Sequence, residues 1–105
     1  MILINVANDF SDTPGGRFEK DGKYSGERFR DEILIPKYKE AMLRNEKLQI
    51  NLDGCFGFPS SFLDEVFGGL ARKEKSKKVL EIIDIISFDE PRLIDDINRY
   101  VKESF

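Results

Sequence analysis

Three short apolar runs, set far apart, constrain this chain more than any other feature. Ile2-Leu3-Ile4-Asn5-Val6 is short, β-branched and apolar. Leu48-Gln49-Ile50-Asn51-Leu52-Asp53 alternates apolar and polar residues and ends at a carboxylate. Ile82-Ile83-Asp84-Ile85-Ile86 is a third strand pattern. Between and after them the period changes. Phe29, Ile33, Leu34, Tyr38, Ala41 and Met42 form a rough helical stripe across residues 26–44. Phe62, Leu63, Val66, Phe67 and Leu70 form a second across 61–72, and Leu93, Ile94, Ile97, Tyr100 and Val101 a third near the end. Strands that alternate with helices predict an α/β domain with a partly parallel sheet. The expected fold is a mixed, partly parallel sheet of four to five strands packed with helices, forming a single domain over residues 1–105.

Local signals place the boundaries. Arg17-Phe18-Glu19 and Lys23-Tyr24 flank Asp21-Gly22 and predict a small β-hairpin. Ser25 is placed to cap the first long helix. Pro36 predicts a kink or a break between Ile35 and Lys37, and Asn45 a left-handed C-cap. Val79 and Leu80 predict a short helical turn. Asp89 is expected to cap the last helix, with Pro91 near its first turn. Ligands and partners of such sheets meet the loops beyond the carboxyl ends of the strands. Asp53 to Ser61 and Ser87 to Asp89 should both lie on that edge.

The first of these loops carries the strongest constellation: Asp53, then Gly54-Cys55-Phe56-Gly57-Phe58-Pro59-Ser60-Ser61. Gly54 and Gly57 allow backbone conformations that other residues resist. Ser61-Phe62-Leu63-Asp64 has a helix-capping pattern. Ser60 or Ser61 either caps the helix or carries a phosphate, which the positive end of the helix would stabilise. Thr13-Pro14-Gly15-Gly16-Arg17 either presents Arg17 to an anion or is a tight turn with an exposed arginine. It lacks the ending of a P-loop, so that motif gives no sign of nucleotide binding. Cys55 is either a reactive thiol or a small reduced packing residue. Gly68-Gly69 marks either a close backbone approach or an early helix end.

Composition removes several chemistries. There is no histidine, so triads of the Ser-His-Asp or Cys-His kind and zinc sites built from His and Cys clusters are excluded. One cysteine allows no intramolecular disulfide. A net charge of −3, with Lys and Arg spread along the chain, gives no strong field for a nucleic-acid backbone. The run Arg72-Lys73-Glu74-Lys75-Ser76-Lys77-Lys78 reads as a solvated loop. With no bilayer-length apolar run and no signal-peptide pattern at the start, the expected location is the cytoplasm, away from the membrane. No metal or cofactor is expected.

Asn8-Asp9-Phe10-Ser11, Thr13-Pro14-Gly15-Gly16-Arg17 and Ser25-Gly26-Glu27-Arg28-Phe29-Arg30 resemble the STAS-like family of small bacterial proteins. So do Leu52-Asp53-Gly54 and the run from Gly57 to Leu70, of which Ser60 to Leu70 is the most specific part. The family is related to the STAS domains of anti-sigma factor antagonists. The resemblance implies a regulatory, non-catalytic module. In those antagonists a serine at the start of a helix is phosphorylated by a histidine-kinase-like ATPase, and the charge breaks partner binding. Ser61 matches the modified position. Pro59 stands where the antagonists usually have Asp, and Phe62 where they have Gly. The implied partner is an ATPase of that kind or a sigma-factor regulator.

Two functional expectations follow. In the first, Phe56, Gly57, Phe58, Pro59, Ser60, Ser61 and Asp64 form a protein-docking surface switched at Ser61 or Ser60. In the second, Thr13, Gly15, Gly16, Arg17 and Asp53 join Ser61 in a pocket for a small molecule, nucleotide or anion. A homodimer through a sheet edge or the Gly68-Gly69 surface is a further expectation.

Overall fold

In the structure, a computed structural model describing residues 1–104, the alternating run becomes the central strand. β1 (Ile2–Asn5), β2 (Leu48–Asn51) and β3 (Ile83–Ile86) lie in the order β1-β2-β3, and both pairs are parallel. Ile2 pairs with Leu48 and Leu48 with Ile83; Ile4 pairs with Ile50 and Ile50 with Ile85. These residues share one face of the sheet, and all but the half-buried Ile85 are buried. Leu3, Gln49 and Asp84 share the opposite face, where Leu3 is exposed. Both crossovers step the same way across the sheet. Their common handedness places the long helices on the buried face.

The sheet thus has three strands rather than four or five, and it is wholly parallel rather than mixed. The missing strands are those of the expected hairpin. Glu19–Asp21 is instead a 3₁₀ turn. The Asp21 carboxylate accepts from the Phe18 backbone N–H at 3.0 Å, and the Asp21 N–H donates to the Phe18 carbonyl at 2.8 Å. Phe18 therefore has no free backbone groups with which to start a ladder. The flanking chain is tied elsewhere: Gly15 N–H donates to the Tyr24 carbonyl, Gly26 N–H to that of Gly16, and Glu27 N–H to that of Arg17.

The helices are α1 (Val6–Asp9), α2 (residues 26–44), α3 (residues 60–74), α4 (Val79–Ile82) and α5 (Arg92–Lys102). Ser25 caps α2, its hydroxyl accepting from Arg28 N–H at 3.1 Å. Pro36 does not break α2. A π-helical turn, Arg30–Leu34, precedes it, and Ile35 N–H reaches back to the Arg30 carbonyl. The wider turn accommodates a residue that lacks a donor and crowds the preceding turn. Asn45 ends the helix at φ 53° and ψ 45°, its N–H on the Ala41 and Met42 carbonyls.

α3 also holds a π-helical turn, Asp64–Gly68, and runs on through Gly68-Gly69, so the helix does not end early there; the atoms nearest the pair are side-chain atoms, not another backbone. A Cβ on Gly69 would stand 2.7 Å from Arg30 Nη1. One on Gly26 would stand 2.8 Å from the Phe62 carbonyl oxygen. The two helices cross at this contact. Arg30 and Glu65, both buried, form an ion pair there, and Arg30 Nη1 also donates to the Glu65 carbonyl at 3.1 Å. Phe10, Phe29, Phe62 and Phe58 form a chain of ring contacts from the core toward the loop after β2. Among the described residues, no helix is long and apolar enough to cross a membrane.

Candidate functional site

The carboxyl edge of the sheet is built from strand exits locked by short polar side chains. Asn5 leaves β1 with its side-chain oxygen on Asn8 N–H at 3.1 Å and its own N–H on the Asp9 carboxylate at 2.8 Å. Asn51 Oδ1 accepts from Asp53 N–H at 2.8 Å as β2 ends. Asp53 and Asp89 then clip two loops together. Asp53 Oδ1 accepts from Asp89 N–H at 2.9 Å, and Asp89 Oδ2 accepts from Gly54 N–H at 3.1 Å. Asp89 therefore does not cap α5; Pro91 occupies the N-cap position, and the Asp89 carboxylate holds the neighbouring loop instead.

Beyond the clip, Gly54 and Gly57 adopt φ of 92° and 144°, conformations that L side chains resist. Phe56 N–H donates to the Asp12 carbonyl at 2.8 Å, pinning the loop while its ring points outward, 86% exposed. Phe88, on the loop clipped to it, is 81% exposed. Phe58 turns inward, its ring centroid 5.8 Å from that of Phe62. Cys55 is half-buried with its Sγ on the Ser11 carbonyl. Burial, with a contribution from the Asp12 charge, pushes the thiol up to about 11. A thiol held neutral is a poor nucleophile, so of its two readings the packing residue fits.

Two cavities adjoin the segment from Phe56 to Asp64. One, of about 370 Å³, is lined by Thr13, Pro14, Phe56, Gly57, Phe58 and Pro59. The other, of about 310 Å³, is lined by Arg17, Ser60, Ser61, Asp64, Tyr100 and Glu103. The six docking residues Phe56 to Ser61 form one continuous segment divided between them, and Asp64 joins the second. The ligand-pocket residues are not brought together. Thr13 lies in the first cavity and Arg17 in the second, while Asp53 is held in the loop clip. Gly15 packs toward Pro59, and Gly16, at φ 86°, turns the chain between Thr13 and Arg17. Arg17 is not presented free to an anion. Its Nη1 donates to Asp64 Oδ2 at 2.8 Å and to Glu65 Oε1 at 3.3 Å. These carboxylates, Asp64 foremost, raise its pKa despite partial burial.

The serine pair is not a cap. Pro59, in extended conformation, holds the N-cap position, and no side chain caps α3. Ser60 and Ser61 are its first two residues, the former exposed and the latter half-buried. The capping pattern misleads because Asp64 faces outward to Arg17 and Arg72 rather than back along the helix. Sequence reasoning missed Phe88, Tyr100 and Glu103. Phe88 lies inside the Ser87-to-Asp89 span expected on this edge, but the expected docking surface does not include that span; the other two reach the cavity only through the packing of α5 on α3.

A model of the STAS-like domain of unknown function (DUF4325) matches residues 25–93, which hold α2, β2, the loop to α3, and β3. β1 and the Thr13-to-Arg17 turn lie outside that span. No curated protein and no solved structure matches.

Proposed function

This chain belongs to the STAS-like domain family, and we propose that it acts as a non-catalytic, cytoplasmic regulatory module that docks a protein partner. The observation that carries this reading is the pair of outward phenylalanines, Phe56 and Phe88, on loops clipped by Asp53 and Asp89. Two large rings held in water on a braced edge are what a protein interface uses as anchors, and ordering them before binding lowers the entropy lost on docking. Phe58, Gly57 and Pro59 extend the surface beside Phe56, and Asp64 closes it at the start of α3.

Ser61 is the switch, with Ser60 the second candidate. Neither hydroxyl caps the helix, and both line a cavity open to solvent. The partner is a histidine-kinase-like ATPase or a sigma-factor regulator. In the ATPase case the Ser61 hydroxyl oxygen bonds to the γ-phosphorus of ATP and the bond from that phosphorus to ADP breaks. The hydroxyl proton leaves to the kinase. The product carries about two negative charges beside the docking loop, which an apolar or acidic partner surface rejects. The ligand-pocket reading loses support, because its residues lie in three separate places.

Incubation with purified ATPases from the genomic neighbourhood, followed by intact mass, tests the switch. One phosphate on the protein and none on Ser61→Ala is the expected result. No phosphate from any of them, with Ser61→Ala binding its partner normally, refutes the switch and leaves docking standing.

A further inference from the structure

Ser61 and Arg17 line one cavity, and the guanidinium is held in a way that lets it change partners. Both its bonds to Asp64 and Glu65 come from Nη1. Among the described residues, Nε and Nη2 donate to nothing, so most of the donor fork is unused. Neither carboxylate depends on Arg17 alone. Asp64 Oδ1 lies 3.7 Å from Arg72 Nη1, and Glu65 Oε2 is held by Arg30. The main chain beneath Arg17 is fixed, since the Gly16 and Arg17 carbonyls accept from Gly26 and Glu27 N–H at 2.9 and 3.0 Å. The side chain can therefore turn while the loop stays in place.

We propose that Arg17 is the internal reader of a phosphate on Ser61. Its Nε and Nη2 edge turns to the phosphate while Arg72 and Arg30 keep Asp64 and Glu65 paired. Arginine suits this role because its planar fork meets two phosphate oxygens at once. The inference rests on the proposed modification of Ser61 and names the residue that answers it. Arg17 draws the phosphate down onto α3, away from Glu103 across the cavity. The surface a partner meets then changes in charge with no refolding of the docking loop.

Phosphoserine installed at position 61 during translation tests this without any kinase. The groups facing the phosphate are Arg17 and Arg72 on one side and Asp64, Glu65 and Glu103 on the other, with Tyr100 beside them. A cation in contact favours the more charged form and lowers the second phosphate pKa. Phosphorus NMR titration should show that Arg17→Ala raises this pKa by about one unit. In the unsubstituted protein, the Arg17 Nε–Hε resonance should shift on phosphorylation and follow the same titration, which decides the matter even if Arg17→Ala folds poorly. Equal phosphate pKa values in the two proteins, or an Arg17 resonance that ignores the phosphate, overturns the assignment. A Ser61 that no kinase modifies would defeat the proposed switch and leave this measurement unchanged, so the two failures are distinct.

Discussion

Gly26→Ala probes the contact on which the helical layer depends. Gly26 opens α2 where α3 crosses it, and a Cβ there would stand 2.8 Å from the Phe62 carbonyl oxygen and 3.1 Å from Glu65 Cβ. The oxygen belongs to the backbone of α3, so no side-chain rotation relieves the overlap. The φ of Gly26 is not positive, so backbone strain does not enter and the effect isolates helix spacing. Forcing a methyl group into a packed contact costs about 1–3 kcal/mol. Better helix propensity offsets at most about 1 kcal/mol of that. The expected net loss is about 1–2 kcal/mol, at roughly 4–8 °C of melting temperature per kcal/mol. Urea denaturation followed by circular dichroism measures it, with an unchanged slope showing that the surface exposed on unfolding is the same. Gly68→Ala is the internal control. Its Cβ would meet only the tips of Asp64, Arg72 and Ser104, which can move aside, so it should be neutral or stabilise by up to about 1 kcal/mol. If Gly26→Ala is as stable as the parent, or Gly68→Ala is the more damaging, the crossing described here is wrong.

Other perturbations test other parts of the account. Glu65→Ala leaves Arg30 buried with Asp31 as its one carboxylate partner among the described residues and should lose about 3 kcal/mol in chemical denaturation, whereas Arg17→Ala, at a more exposed pair, should lose under about 1 kcal/mol; the reverse order would contradict the ion-pair network. With its pKa near 11 rather than 9.0, Cys55 should be alkylated by iodoacetamide at pH 8 about a hundredfold more slowly than an ordinary thiol, and a rate matching a free thiol would show the loop to be open. Because folding favours the protonated thiol, stability should fall as pH rises from about 9 to 11, and Cys55→Ser should lose that dependence. Phe56→Ala should leave the free energy of unfolding within about 0.5 kcal/mol of the parent, since Phe56 is 86% exposed; a larger drop would mean that the loop packs on that ring.

The main elements were legible because period alone carries them: three strand runs and three apolar stripes became the sheet and its long helices. The hairpin was misread because Asp21-Gly22 signals a turn but not what its flanks do, and the Asp21 side chain claimed the Phe18 N–H before any strand could. Pro36 and Gly68-Gly69 are local helix breakers by propensity. Both are carried through by π-helical turns beside a helix crossing, which no local window contains. The serine pair was located correctly at the start of α3, yet the capping frame was off because Asp64 answers Arg17, 47 residues away in the chain. That same pairing separated Arg17 from Thr13. Long-range ion pairs leave no spacing signal, and so the second half of the site could only be seen once α3 and the Gly15-Gly16 turn were in place.

The most direct test of docking is the affinity of this chain for a purified histidine-kinase-like ATPase or sigma-factor regulator encoded beside it. Isothermal titration should compare the parent protein with Phe56→Ala and Phe88→Ala. The account predicts saturable binding by the parent and a loss of at least about tenfold in each variant, with melting temperatures unchanged. Equal affinity for parent and variants, or no binding by any such partner, would contradict it.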